Sequence, residues 1–305
     1  MGNTESVPDA FSNTKPDNGS QKEEWAYPTL TKTPWRKFEK NGDWTEQYEN
    51  KLIEDIQNPA MKGEVENVRL LLIGPIKAGK SSFLNSTACI DKGRIAQVTA
   101  AGGEGASMSK KLKVYSPKGK LKNFRLLDTM GIENAGEAGF NVKDLLYVIN
   151  GNVPPEYKFN PASPILDTDS DFNKTPLDTD KTHCVVFVLD ASVAGEDNIS
   201  AATKAKVASL QDELKSLDIP RIVLLTKVDV LCETVAENIC NVYESAKVQK
   251  AVTVAENLFH VPKMNIFPVQ NYNEDTDLDT SKNILLLLAL RQMVNFATDF
   301  INEQS

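Results

Sequence analysis

From Val68 onward, apolar residues come in short continuous runs, separated by stretches where they recur every three or four positions. Continuous runs suit strands covered on both faces, and the longer spacing suits helices with one buried side. "VRLLLIG", "NFRLLD", "HCVVFVLDA", "RIVLLTK" and "NIFPVQN" are therefore predicted strands. "KKLKVYS" is a further strand, joined to "NFRLLD" through the turn signal "PKGK". "KSSFLNSTA", "NVKDLLYVING", "SAATKAKVASLQDELKSL" and "SKNILLLLALRQMVNFATDFI" are predicted helices, the second ending at Gly151. More helical pattern fills the chain up to about Leu258. This alternation predicts an α/β fold, a mostly parallel sheet with helices on both faces.

Ahead of that domain the pattern changes. Residues 1–27 are rich in Asn, Ser, Asp, Pro and Lys and read as a disordered tail. In residues 28–64, Trp44, Tyr48, Leu52 and Ile56 recur every four positions, which predicts a helical lead-in packed on the main domain. Residues 65–305 form that domain, with a proline-rich, acidic insertion at about 153–182 that reads as a surface loop. No internal repeat is visible. The run "ILLLLAL", Ile284 to Leu290, is too short to cross a bilayer and reads as a buried helix turn.

Composition narrows the function. Hydrophobic residues make up 41% of 305, enough for a sizeable core. A net charge of −8 disfavours a nucleic-acid scaffold, leaving room only for a local basic patch. Cys89, Cys184, Cys232 and Cys240 form no CxxC pair, and His183 and His260 give no metal-finger spacing. They read as reduced thiols of a cytoplasmic protein. "MGNTES" fits a myristoylation pattern through Gly2 and Ser6. Acidic residues rather than a lysine cluster follow it, and one acyl chain alone holds a membrane only marginally. The tail thus reads as unmodified, with acylation of Gly2 as the alternative.

"GPIKAGKS", Gly74 to Ser81, follows the first buried strand and opens a helix. It fits the phosphate-binding G-x-x-x-x-G-K-[ST] loop in that loop's own context. Backbone N–H groups from Gly74 to Ser82, including those of Lys77, Ala78 and Gly79, would cradle phosphate at a helix N-terminus. Lys80 would reach the β- and γ-phosphates, and Ser81 would ligate Mg²⁺. "DTMG" leaves the next strand: Asp128 would hold Mg²⁺ through water, and the Gly131 N–H would meet the γ-phosphate. "TKVD" ends "RIVLL". Asp229 would accept the N1–H and the amino group of guanine, which adenine cannot offer. The Lys227 stem would lie along the base, and Thr226 would bond back to the phosphate loop. Gln270 and Asn271, after "NIFPV", stand where a loop would touch the guanine oxygen. The threonine that caps Mg²⁺ lies between Ile90 and Lys113; Thr99, Ser107 and Ser109 are candidates, and the sequence does not choose. These motifs predict a P-loop NTPase of the Ras-like G-domain type, using GTP or GDP with Mg²⁺.

The hydrolytic machinery departs from that type. Ile132 stands where Ras-like GTPases place the glutamine that orients water. Glu133 follows, and a carboxylate beside a triphosphate is repelled unless neutralised. Slow hydrolysis, or hydrolysis that borrows a group from a partner, is expected. Lys77 lies inside the loop, where a cation could fold over the phosphates in cis or simply point to solvent.

"TPWRKF", "VRLLLIGPIKAGKSSFLNS", "RLLDTMGI", "LLTKVD" and "FPVQNY" together resemble the interferon-induced 44-like GTPase family, over roughly residues 34–305. The resemblance implies a cytosolic guanine-nucleotide-binding protein of the interferon response with antiviral or antiproliferative effects. Family members often carry an additional N-terminal domain, and the stretch before Trp35 is too short for one, so its functions are not carried over. Lys77 departs from the family's Val-Gly-Ala-Gly-Lys-Ser form, which leaves the hydrolytic route open. Two other readings stand beside a slow GTPase. One is a non-hydrolysing, nucleotide-bound interaction module; the other, an ATP-dependent enzyme, requires "TKVD" to be accidental. A homodimer across the nucleotide face and an unknown protein partner are the expected associations.

Overall fold

The computed structural model describes residues 30–40, 42–99, 111–131, 141–160 and 163–304. The tail, Gly2, Ser107, Ser109, Ile132 and Glu133 lie outside the described residues.

Six strands form one sheet: β1 (Val68–Ile73), β2 (Lys113–Tyr115), β3 (Phe124–Asp128), β4 (Cys184–Asp190), β5 (Arg221–Thr226) and β6 (Ile266–Pro268). Their order is β2-β3-β1-β4-β5-β6, with β2 antiparallel and every other pairing parallel. That is the expected α/β fold, and every residue of β1 is buried because helices cover both faces. The parallel register brings the ends of β1, β3, β4 and β5 to one side, where Asp190 pairs with Thr226 and Leu72 with Asp128.

Two groups of helices cover the sheet. α9 (Thr280–Gln304) lies against β1, β4 and β6, with α1 (Glu46–Gln57) and α2 (Lys80–Lys92) beside it. α8 (Ala246–Phe259) lies against β5 and β6, packed on α5 (Ala201–Lys215), which meets α3 (Val142–Ile149). Short helices α4 (Ala191–Gly195), α6 (Val228–Leu231) and α7 (Glu233–Glu237) line the connections. α9 is longer than its central apolar run suggests. At 25 residues it has the length and hydropathy of a membrane span, but its apolar side, from Ile284 to Ile301, is packed into the core.

The insertion is not wholly a surface loop. Phe159 and Ile165 are buried, and the Asp144 carboxylate accepts the Ile165 N–H at 2.8 Å. Lys158 bridges Lys111, which extends the β2 edge. Sparse apolar positions hid this anchoring, because Phe159 and Ile165 fit no helix or strand period.

The lead-in closes the opposite sheet edge. An aromatic group of Trp35, Phe38, Trp44, Tyr48 and Tyr243 packs edge to face or stacked, with centroids 4.8–6.3 Å apart. Arg36 lies over Trp35, Tyr243 and Phe267 and donates to the carbonyls of Ile266, at 2.7 Å, and Lys263. One guanidinium thus caps the open edge of β6. Arg291 of α9 joins the same strap to α1, donating to Glu39 at 3.0 and 3.1 Å and to Asp55 at 3.0 Å. That bond holds the Glu39 carboxyl down at about 2.

Arg36→Ala removes charged hydrogen bonds to two carbonyls and the cation–π contacts with three rings, so unfolding free energy should drop by about 2–4 kcal/mol. Urea unfolding of the two proteins side by side checks this.

Candidate functional site

Gly74 is the point where the chain leaves β1. A Cβ there would sit 2.1 Å from the Val188 carbonyl oxygen, so no other residue fits without parting β1 from β4. The loop then turns through Lys77, at φ +64°, and Gly79, at φ +98°. A lysine in the left-handed region is uncommon, and such backbone strain clusters at ligand sites. α2 begins at Lys80, so the loop delivers a helix N-terminus.

The loop's carbonyls are occupied from behind. Lys80 Nζ donates to Gly74 O and Pro75 O, each at 2.9 Å. Thr226 Oγ1 donates to Ala78 O at 2.6 Å. The Phe83 N–H reaches Gly79 O at 2.8 Å, and Asn271 Nδ2 reaches the same oxygen at 3.4 Å. Burial pushes the Lys80 ammonium down to about 8, with the Asp128 carboxylate pulling the other way. A buried cation in that state calls for a stronger anion than carbonyl dipoles.

The Ser81 hydroxyl donates to Asp128 Oδ2 at 2.7 Å. A hydroxyl and a carboxylate in contact are hard oxygen donors that suit Mg²⁺. Among the described residues no cluster of three or more His, Cys, Asp or Glu side chains could hold a metal. Mg²⁺ would therefore share its shell with phosphate oxygens and water, with Ser81 and Asp128 as the protein's part. Gly131 abuts the loop directly: a Cβ would lie 2.7 Å from Ile76 Cγ1 and 2.9 Å from Ile76 N.

Lys227 also has positive φ, at +57°, and its ammonium meets Asp190 Oδ2 at 2.6 Å. Asp190 Oδ1 meanwhile accepts the Ser192 N–H at 2.9 Å and its hydroxyl at 2.6 Å. Asp190 holds the lysine, and the sequence reading passed it over. Its signal was present, a carboxylate at the end of a buried strand, as at Asp128. Asp229 is half-buried, and burial raises its carboxyl above the ordinary range. Asn271 lies beside Gly79, and the next residue, Tyr272, donates its N–H to Ser86 Oγ at 2.9 Å. The Tyr272 hydroxyl donates to Asn283 Oδ1 at 2.8 Å, and Asn283 Nδ2 donates to Glu49 Oε1 of α1 at 2.9 Å. Gln270 precedes Asn271 and is half-buried.

Thr99 is buried and its polar groups are taken up by Lys113 and Asn85. Its hydroxyl accepts from Lys113 Nζ at 2.7 Å, and its carbonyl and N–H bond to the Asn85 amide. Lys77 is exposed and, with Ile76, Asp190, Val193, Ser200 and Lys227, lines a cavity of about 330 Å³ beside the loop. Ser82 is half-buried in the first turn of α2. A larger cavity, about 490 Å³, opens at the far end of the sheet around Val65, His183 and Phe300, away from these motifs.

No family model matches the chain. It is 36% identical over 262 residues to human Interferon-induced protein 44-like, covering 84% of this chain and 58% of that protein. It is 31% identical over 243 residues to Interferon-induced protein 44 of Pan troglodytes, covering 78% and 54%. With the Mus musculus protein of that name it shares 32% over 244 residues, covering 78% and 57%. The chain spans about half the length of the curated relatives it matches. Among solved structures, a probable GTP-binding protein engB shows a TM-score of 0.38 at 15% identity, covering 77% of this chain and 99% of that one. The SRb-GTP/SRX complex of the signal recognition particle receptor from Chaetomium thermophilum shows 0.34 at 16%, covering 70% and 94%. Likenesses that low add nothing to what the strand order already gives. The sequence relatives carry the assignment: the chain belongs to the family of interferon-induced protein 44 and 44-like proteins.

Proposed function

We propose that the chain binds guanine nucleotide with Mg²⁺ and hydrolyses GTP slowly, as a cytoplasmic effector of the interferon response with an antiviral role. One observation carries the nucleotide reading: three motifs far apart in sequence meet through the Ser81–Asp128 and Thr226–Ala78 hydrogen bonds. In this reading the phosphate loop takes the β- and γ-phosphates, Lys80 neutralises them, the Ser81 hydroxyl would ligate Mg²⁺ and Asp128 would hold it through water. Lys227, braced by Asp190, lies along the base while Asp229 reads its edge. The names of the relatives support the interferon-response part.

Ile132 favours a second reading, in which the nucleotide is bound and never turned over. Association of two copies across the nucleotide face would supply the missing group in trans. Lys77, exposed at the rim of the cavity, is the residue of this chain able to supply it in cis.

Asp229→Ala should cut GDP affinity by two orders of magnitude or more and leave weak ADP binding unchanged, since only guanine offers it two donors. Competition titrations with both nucleotides check this. Lys80 gives a pH dependence. In the free protein its proton is released near pH 8, whereas bound phosphate would retain it, so binding takes up a proton. GDP affinity should stay level below that pH and fall by up to about tenfold per unit above it. Fluorescent-GDP titrations across that range test the sign. Lys77→Ala should slow single-turnover GTP hydrolysis at least tenfold without weakening GTP binding; an equal rate assigns hydrolysis to a partner or to none.

A further inference from the structure

Charge is unevenly spread along the chain. Between Lys92 and Arg125 there are nine basic residues and one acidic residue, Glu104, so this stretch carries +8 within a chain of net −8. The fold gathers part of it at one place. The buried Asp91 carboxylate, at the C-terminal end of α2, accepts the N–H groups of Lys118, Gly119 and Leu121 at 3.1, 2.8 and 3.0 Å. The Tyr115 hydroxyl joins at 2.9 Å, and the Asp91 carbonyl accepts the Lys120 N–H at 2.8 Å. The β2–β3 turn is thereby fastened against Lys92, Gly93 and Arg94. The approach is close: a Cβ on Gly93 would lie 3.3 Å from Lys120 Cε.

Lys92, Arg94, Lys118, Lys120 and Lys122 are all exposed there. Among the described residues, none of the five has a carboxylate within ion-pair distance. Asp91 is buried and spent on the turn, and Glu49 of α1 feels the Lys120 charge without pairing with it. The turn precedes Phe124, whereas Asp128 closes β3 at the nucleotide side. The basic group therefore sits at the end of the sheet opposite the phosphate loop.

We propose that this end docks on an anionic phospholipid surface. The group is a turn and a helix end rather than a groove, so it meets a flat layer of charge more readily than a threaded strand. Its one aromatic side chain, Tyr115, is half-buried with its hydroxyl bound to Asp91, leaving no platform for stacking bases. Four of the five cations are lysines, compact point charges that match headgroups without needing planar pairing. The pattern at Gly2 to Ser6 points the same way. One acyl chain anchors stably only with a second signal, for which a basic surface serves, and the fold builds one that the sequence beside Gly2 lacks.

Sedimentation of the full chain with vesicles of phosphatidylcholine, with and without phosphatidylserine, tests the proposal. Each cation near such a surface strengthens partition about fivefold, so combining Lys118→Gln, Lys120→Gln and Lys122→Gln should lower it about 100-fold. Lys92→Gln with Arg94→Gln, on a different element, should lower it about 25-fold. Thermal melting checks that both variants remain folded, independently of any nucleotide. The same ratios should hold when Gly2 is acylated. Equal binding of wild type and variants overturns the proposal, as does equal binding to neutral and anionic vesicles or no binding to either. Tighter binding to duplex RNA in the same buffer, lost in the same variants, gives the surface to nucleic acid and also overturns it.

Discussion

A loop that is to receive an anion must turn its carbonyls away from it, and each of those carbonyls needs a partner. Here the partners come from every side. Lys80 takes two, Thr226 of β5 takes Ala78, and α2 with Asn271 takes Gly79. The bare glycine at position 74 lets β1 lie close enough to β4 for this arrangement to form. The sheet's parallel register, the burial of Thr226 and the left-handed turns at Lys77 and Gly79 all serve that one backbone. Part of its rigidity comes from Thr226 and Asn271, more than 140 positions away, so the octapeptide alone does not hold this shape.

That division explains what could be read from the sequence. Gly74, Gly79 and Gly131 announced themselves because each occupies a place where a side chain collides or the backbone turns left-handed. The apolar runs announced the strands because both faces of the sheet are dry. Asp190 ends a buried strand as Asp128 does, but that signal does not give its role, which depends on a lysine 37 residues later folding back onto it. Arg36 stayed hidden for the same reason, since an arginine near two aromatics says nothing of the strand edge it will cover. The insertion was half legible. Its prolines and acids marked a departure from the domain, but two isolated apolar residues gave no period from which to infer that they are buried.

Electrostatics divides the molecule along the strand direction. At one end, single charges are buried or half-buried and individually matched: Lys80 with carbonyls, Lys227 with Asp190, Asp128 with Ser81. At the other, cations are solvated and unmatched around the β2–β3 turn. The first arrangement depends on geometry and resists salt; the second depends on number and yields to it. An acidic chain can hold both because much of its negative charge is carried elsewhere, on the insertion, α1 and α7.

The chain of bonds from Asn271's neighbour Tyr272 through Asn283 to Glu49 links the loop beside the base to the helix ahead of the domain. Glu49 is half-buried, and burial raises its carboxyl above the ordinary range. If that loop seats a purine as proposed, a protein that grips α1 would pull on the seat without coming near it.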